Sequence, residues 1–370
     1  MTHLFDPLTL RGVTFKNRIG VAPMCQYSAG TDGRPTEWHL AHLLQRALGG
    51  AGLVCVEASG VVPEGRITPG CLGIWDDAQE ASHTRLAHAI TRGGAVPGVQ
   101  LAHAGRKASR AVSWERGPAV PGWEIVGPSA EAFGDFATPD ALTPAEIEAL
   151  PEVFATAARR AVRAGYGFVE VHGAHGYLMH QFLSPLSNTR NDAWGGDFAG
   201  RTRLLLDTAA AVRAAIPDGM PLFVRLSHTD WVPGGWTTEE TVQLSALLKG
   251  RGVDLISVSS GGNDPRQQID LKPMYQVPGA EAVRHGAGIA VGVAGLITTA
   301  EEAQGIVADG RADMVFLARV VVREPYWPAQ AAITLGRPEA LRIPPEYQRG
   351  WDAWGALPTD KGIAKAMPAL

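Results

Sequence analysis

Eight short apolar runs, each followed by a stretch of helical periodicity, constrain this chain more than any other feature. The runs fall at residues 18–24, 53–58, 95–101, 168–172, 221–226, 253–258, 289–293 and 314–317. Short, apolar and valine-rich, they read as buried strands. The helical stretches fall at 36–48, 76–91, 144–164, 198–216, 238–249, 277–285, 299–308 and 327–335. Gly49-Gly50 and Gly93-Gly94 stop two of them, and Thr143-Pro144 starts another with a cap and a first-turn proline. Eight such units in 370 residues predict the α/β class and a (β/α)8 TIM barrel, one domain over residues 1–370. A doubly wound sheet would need a crossover reversal and usually fewer units. No Gly-x-Gly-x-x-Gly follows the first run to support it. Pro97 and Gly98 weaken the third run as a strand.

Two intervals break the repeat. Residues 102–142 and 173–196 are longer than ordinary barrel loops, and long loops in compact domains are often functional. They predict long loops after strands 3 and 4. The last stretch, about 341–370, is rich in Pro and Gly and carries Tyr347, Arg349, Trp351 and Trp354. It is expected to be an arm that packs elsewhere and forms no domain of its own; the tryptophans suggest docking on an apolar surface such as a subunit partner.

Charge and cysteine content narrow the function. A net charge of -4 and a pI near 6.3 argue against a nucleic-acid partner. Three scattered cysteines match neither a disulfide framework nor a zinc or iron–sulfur knuckle. They suit reduced thiols in the cytoplasm. The N-terminus lacks the basic region and apolar run of a signal peptide, and no run is long enough to span a bilayer, so no membrane role is expected.

In a barrel the strand ends share one face. Here they offer Pro23-Met24-Cys25, Ala58, Gln100, His172, Arg225, Ser260, Gly295 and Ala318-Arg319. Glycine-bordered turns after strands seven and eight predict a phosphate site, with Arg319 as a bidentate donor. His172 and His175 stand near Tyr177 at a strand end. The imidazoles could be zinc ligands, with Cys25 and Asp230 as further ligands by type only; they could be structural; or they could donate hydrogen bonds to one developing oxyanion. In the last case Tyr177 is close enough to give a proton to the adjacent carbon. Cys25 could be a nucleophile or a soft group beside a redox cofactor. Cys55 reads as core, and Cys71 has no partner pattern. His103, Arg106, Lys107 and Arg110 form a basic loop, either a solvated face or an anion site.

The motifs Ala22-Pro23-Met24-Cys25-Gln26-Tyr27, Gln100-Leu101-Ala102-His103-Ala104-Gly105-Arg106-Lys107, Glu170-Val171-His172-Gly173-Ala174-His175-Gly176-Tyr177-Leu178 and the run from Gln181 to Gly196 resemble the Old Yellow Enzyme family of flavin-dependent ene-reductases. Tyr347-Gln348-Arg349-Gly350-Trp351 is similar to its short-chain, thermophilic-like branch, the NADPH dehydrogenase type. The resemblance implies non-covalent FMN at the barrel mouth. Pro23, Met24 and Cys25 would lie along the flavin, with Ala58 and Gln100 on its pyrimidine side. Arg225 would face the N1/C2 edge, and Gly295, Ala318 and Arg319 the phosphate. Ser260, after strand six, is counted with the cofactor residues. His172 and His175 would bind a substrate carbonyl, Tyr177 would protonate carbon, Cys25 would tune the flavin, and Tyr27 would hydrogen-bond substrate. Lys107 would help close the site, and Arg349 would reach a neighbouring subunit's site in a homodimer or homotetramer. Ala318, where the family has Gly, and Trp194, where it has Tyr, depart from the pattern without removing a catalytic group.

The implied reaction is NAD(P)H-dependent reduction of activated C=C bonds in small α,β-unsaturated carbonyl or nitro compounds, NADPH being the expected reductant and NADH possible. Two alternatives stand beside it: a metal-dependent barrel hydrolase using His172 and His175, and a flavin-binding protein without turnover. A dienoyl-CoA-type reductase would need an iron–sulfur cysteine cluster and a further domain.

Overall fold

The computed structural model describes residues 1–115, 120, 123–347, 349 and 365–366. Its strands β1 (Ile19–Val21), β2 (Leu53–Gly60), β3 (Val96–Ala102), β4 (Phe168–Gly173), β5 (Leu222–Ser227), β6 (Leu255–Ser259), β7 (Ala290–Val293) and β8 (Met314–Leu317) pair in chain order. All the pairings are parallel, and β8 pairs with β1 to close a barrel. The (β/α)8 expectation therefore holds. Helices Glu37–Leu48, Asp77–Arg92, Pro144–Arg163, Phe198–Ala215, Thr238–Gly250, Val277–Ala287, Ala300–Ala308 and Trp327–Thr334 follow the strands in turn. Reciprocal caps start four of them, from Asp76 and Gln79, Thr143 and Glu146, Thr237 and Glu240, and Thr299 and Glu302. Such a cap contributes about 1 kcal/mol.

The lower end of the barrel is an apolar plug. Phe15, Phe168, Phe223 and Phe316 pack there with Leu53, Leu255 and Met314. Each large side chain of this kind stabilises by about 1.5–3 kcal/mol on burial. Phe15 arrives on an N-terminal hairpin, Leu8–Leu10 with Val13–Phe15, which sequence periodicity does not reveal. Its ring stands 6.0 Å from Phe168 and 6.1 Å from Phe223. The plug also accounts for the glycine in β3. A Cβ on Gly98 would lie 2.0 Å from the Phe168 ring, so the residue that weakens the strand on propensity makes room for the barrel's filling.

Because alternate residues of a strand face one side, this plug fixes what lies above it. Phe168, Glu170 and His172 share a face along β4. Phe223, Arg225 and Ser227 do so along β5, and Leu255, Ser257 and Ser259 along β6. The interior thus changes from aromatic to charged to polar towards the C-terminal ends of the strands.

The two long loops carry local structure of their own. The first contains a short 3-10 turn, Gly105–Lys107, and a two-residue parallel pair, Val126–Gly127 with Asp140–Ala141. The second contains the helix Leu178–Leu183. In the C-terminal arm, Arg342–Ile343 pairs with Lys365–Ala366. Gln348, Gly350, Trp351 and Trp354, and with them much of the predicted arm, lie outside the described residues.

Candidate active site

His172 and Arg225 face each other across β4 and β5 at the barrel mouth. Arg225 is 6% exposed, and its Nε and Nη1 atoms have no hydrogen-bond partner among the described residues. A buried guanidinium with open donors calls for an anionic or carbonyl-bearing ligand, because unpaired buried donors are costly. One layer down, Glu170 Oε1 accepts from Gln100 Nε2 at 2.7 Å. Burial pushes the Glu170 carboxyl up, while Arg225, Gln100 and Ser257 oppose that rise.

Both imidazoles are held neutral. Burial first, then the Arg225 charge, pushes His172 and His175 well below the usual histidine range. His172 Nδ1 accepts from the Ala174 N–H at 3.3 Å, which leaves the proton on Nε2. The His172 ring stands 5.1 Å from that of His175 and 5.0 Å from that of Tyr177. His175 Nε2 lies 2.7 Å from Ser259 Oγ, and that hydroxyl also meets Gln276 Oε1 at 3.1 Å. Burial, followed by nearby Cys25, Tyr27 and Cys71, raises the Tyr177 phenol well above its ordinary range. The site therefore presents neutral imidazoles beside a protonated phenol, a set suited to polarising a carbonyl and delivering one proton.

The predicted basic loop is not a solvated face. His103 and Arg106 are buried and Lys107 is half-buried. Lys107 Nζ donates to the His175 carbonyl at 2.9 Å and the Gly262 carbonyl at 2.8 Å. It also lies 5.1 Å from the Tyr177 ring centre and 4.5 Å from that of Phe133. Burial, then Arg106, brings its amine down to about 8. Lys107 thus staples the tyrosine turn to the loop after β6. Arg106 reaches the Asn263 carbonyl at 2.6 Å and does similar work.

On the opposite wall, Pro23, Met24, Cys25 and Tyr27 are half-buried on the segment after β1. A register shift in β2 between Val56 and Ala58 turns Glu57 out of the ladder. Glu57 Oε2 accepts the Gln26 N–H at 2.9 Å, and Oε1 meets His39 Nε2 at 3.1 Å. Cys25 hydrogen-bonds Cys71, and that bond, with burial, holds the Cys25 thiol well above the usual range. Cys71, for which the sequence offers no partner, has one in Cys25. Cys55 lies in the barrel plug.

The phosphate-side residues line a cleft of about 200 Å³. Gly295, Ala318 and Arg319 meet there with Gln276 and Phe316. Gly295 has φ +133, and a Cβ on it would lie 3.1 Å from the Gln276 side chain, so the turn needs glycine. Ser260 Oγ donates to Gln276 Oε1 at 2.9 Å and so supports this wall. Ala58 and Gln100 are buried at the ends of β2 and β3. Arg349 is exposed.

Among the described residues the zinc option finds no third ligand. Among the described residues, no group of three or more His, Cys, Asp or Glu side chains is arranged to hold a metal. Asp230 is paired with His180 instead, Oδ1 to Nε2 at 3.0 Å. Sequence reasoning missed the supporting residues Glu57, His39, His180, Ser259 and Gln276. Glu170 could have been found, as a charge inside an apolar strand two residues from His172.

The profile of the family described as NADH:flavin oxidoreductase / NADH oxidase matches residues 3–337. A protein named NADPH dehydrogenase from Geobacillus thermodenitrificans is 47% identical over 352 residues, covering 95% of this chain and 99% of that one. Among solved structures, an old yellow enzyme homologue from Zymomonas mobilis aligns with a TM-score of 0.77 at 28% identity, over 90% of this chain and 93% of that one. A 2-naphthoyl-CoA reductase in complex with 2-naphthoyl-CoA aligns with a TM-score of 0.82 at 27% identity. That match covers 91% of this chain but 53% of the reductase, so the chain spans about half of it.

Proposed function

From the premise that this chain belongs to the NADH:flavin oxidoreductase / NADH oxidase family, we propose that the barrel mouth is an ene-reductase site in which named residues hold FMN and an activated alkene. The protein is an FMN-dependent oxidoreductase using NAD(P)H, similar to the ene-reductases of the Old Yellow Enzyme group. The observation that carries the site assignment is Arg225, buried with Nε and Nη1 open beside His172.

Bound FMN would supply the redox chemistry, taking hydride from NAD(P)H and passing it to the β-carbon of the alkene. Arg225 would meet its N1/C2 edge, where a fixed positive charge favours the reduced, anionic form. Pro23, Met24, Cys25, Ala58, Gln100 and Ser260 would line the ring or support its wall, and Gly295, Ala318 and Arg319 would hold the phosphate. His172 and His175 bind the substrate carbonyl or nitro oxygen and draw electron density from the β-carbon. Tyr27 adds a hydrogen bond to substrate. Tyr177 gives its phenolic proton to the α-carbon, and the Lys107 ammonium over its ring favours the phenolate left behind. Holding donor, acceptor and acid in register supplies much of the rate.

Residues 1–370 act as one FMN-binding domain, with 341–370 as an arm. The partners are small activated alkenes and a second copy of this chain, whose site Arg349 enters. The exposure of Arg349 and Tyr347 supports that role. Among the described residues no helix is long and apolar enough to cross a membrane. We assign the protein to the cytoplasm, where three free thiols are at home.

The test is the spectrum of the purified protein. It should be yellow and release FMN on denaturation; a colourless protein carrying stoichiometric zinc would overturn the reading.

A further inference from the structure

We propose that His180 and Asp230 are a positioning dyad that holds the His175–Tyr177 turn in the conformation needed for proton delivery; the inference rests on the ene-reductase reading. The turn is unusual in its backbone. His175 and Gly176 are both left-handed, at φ +60 and +70. For a residue with a Cβ this conformation costs about 1–2 kcal/mol. A Cβ on Gly176 would lie 2.2 Å from the Gly262 carbonyl oxygen, so no other residue fits there. Such a turn persists only when its surroundings determine it.

The determination is visible. Two successive N–H groups are caught by buried acceptors: His175 N–H by Ser227 Oγ at 3.0 Å, and Gly176 N–H by His180 Nδ1 at 2.9 Å. The Gly176 carbonyl accepts from Gln181 Nε2 at 2.7 Å. For His180 to accept at Nδ1 its proton must sit on Nε2. Asp230 favours that tautomer by its charge, with Oδ1 3.0 Å from Nε2 and both side chains 0% exposed. Asp230 is itself anchored, its Oδ2 accepting from Ser184 Oγ at 2.5 Å and from the Trp236 N–H at 2.9 Å. Burial would raise its carboxyl, but His180, Ser184 and Trp236 outweigh burial and hold it below the usual range.

A His180 carrying its proton on Nδ1 would set donor against donor at Gly176. The buried N–H would lose its partner, and the turn would relax away from the left-handed pair. His175 and Tyr177 would then shift relative to His172, which is fixed separately by β4. A displacement of about 1 Å at such a site costs about 10²-fold in rate. His180 lies behind the turn and acts through it.

Two substitutions separate the two nitrogens. His180→Asn places an amide oxygen near the Nδ1 position and so keeps the acceptor for Gly176. His180→Gln reaches towards Asp230 but withdraws from Gly176. In FMN-loaded protein, His180→Gln should slow reoxidation of the reduced protein by cyclohex-2-enone about tenfold or more. Reduction by NADPH should change less than about twofold, and His180→Asn should keep most of the parent's enone rate. If His180→Asn fails to fold for want of a partner to Asp230, the pair His180→Asn with Asp230→Asn takes its place. Independently of activity, 15N-histidine labelling of the parent should show a buried imidazole with Nε2–H and bare Nδ1, assigned by its loss in the variants. Equal enone rates in the two single variants, equal loss in both half-reactions, or a proton on Nδ1 of His180 would overturn the dyad. A parent that binds no flavin or is not reoxidised by enone would instead sink the ene-reductase reading, and the labelling experiment would still decide the tautomer.

Discussion

His172 and Arg225 are register partners on adjacent strands, so one ladder sets both the donor proposed for the substrate and the charge proposed to face the flavin edge. The pairing also keeps the imidazole useful. Burial and the neighbouring guanidinium hold His172 neutral, and its Nδ1 bond to Ala174 leaves Nε2–H to donate. Replacing Arg225 with Met should weaken FMN retention at least about tenfold, because a buried charged hydrogen bond contributes about 1.5–3 kcal/mol. Equilibrium dialysis against FMN measures this, and unchanged affinity would remove Arg225 from the cofactor site.

Lys107 predicts a pH dependence. Its amine titrates at about 8, and while charged it lies 5.1 Å from the Tyr177 ring centre. Above that pH the charge favouring the phenolate is lost, so the oxidative half-reaction should slow as pH rises through about 8. Lys107→Arg keeps its charge and should flatten that limb. A limb that persists in the Arg variant would assign the titration elsewhere.

Cys71 controls its neighbour. Since the Cys25 thiol is held up by its bond to Cys71, Cys71→Ala should lower it and put more thiolate at pH 8. Iodoacetamide should then alkylate Cys25 faster than in the parent, read by mass spectrometry. An unchanged rate would mean that the bond does not set the thiol's acidity.

The barrel plug is testable without ligand. Gly98→Ala sets a methyl 2.0 Å from the Phe168 ring and should cost about 1–3 kcal/mol in urea unfolding. Adding Phe168→Leu should return part of the loss. Simple additivity of the two changes would contradict direct packing between them.

Much of this was legible in the sequence. The period of strand and helix revealed the barrel, and the strand ends pointed to His172 beside Arg225 at its mouth and to Gly295 in the cleft with Ala318 and Arg319. Two kinds of feature were not legible. The hairpin carrying Phe15 is too short for periodicity to register, and Pro97-Gly98 looks like a defect until Phe168 is seen filling the space. The supports behind the site, Glu57 with His39 and His180 with Asp230, join residues 18 and 50 positions apart. Such pairs have no local signature, so the sequence offers Asp230 only as a zinc ligand by type.

Anaerobic single-turnover mixing of the NADPH-reduced protein with cyclohex-2-enone shows whether Tyr177 is the acid. The parent should be reoxidised, and Tyr177→Phe should be slower by about 10²-fold or more while its reduction by NADPH stays near the parent rate. Equal slowing of both halves, or undiminished reoxidation, would contradict the account.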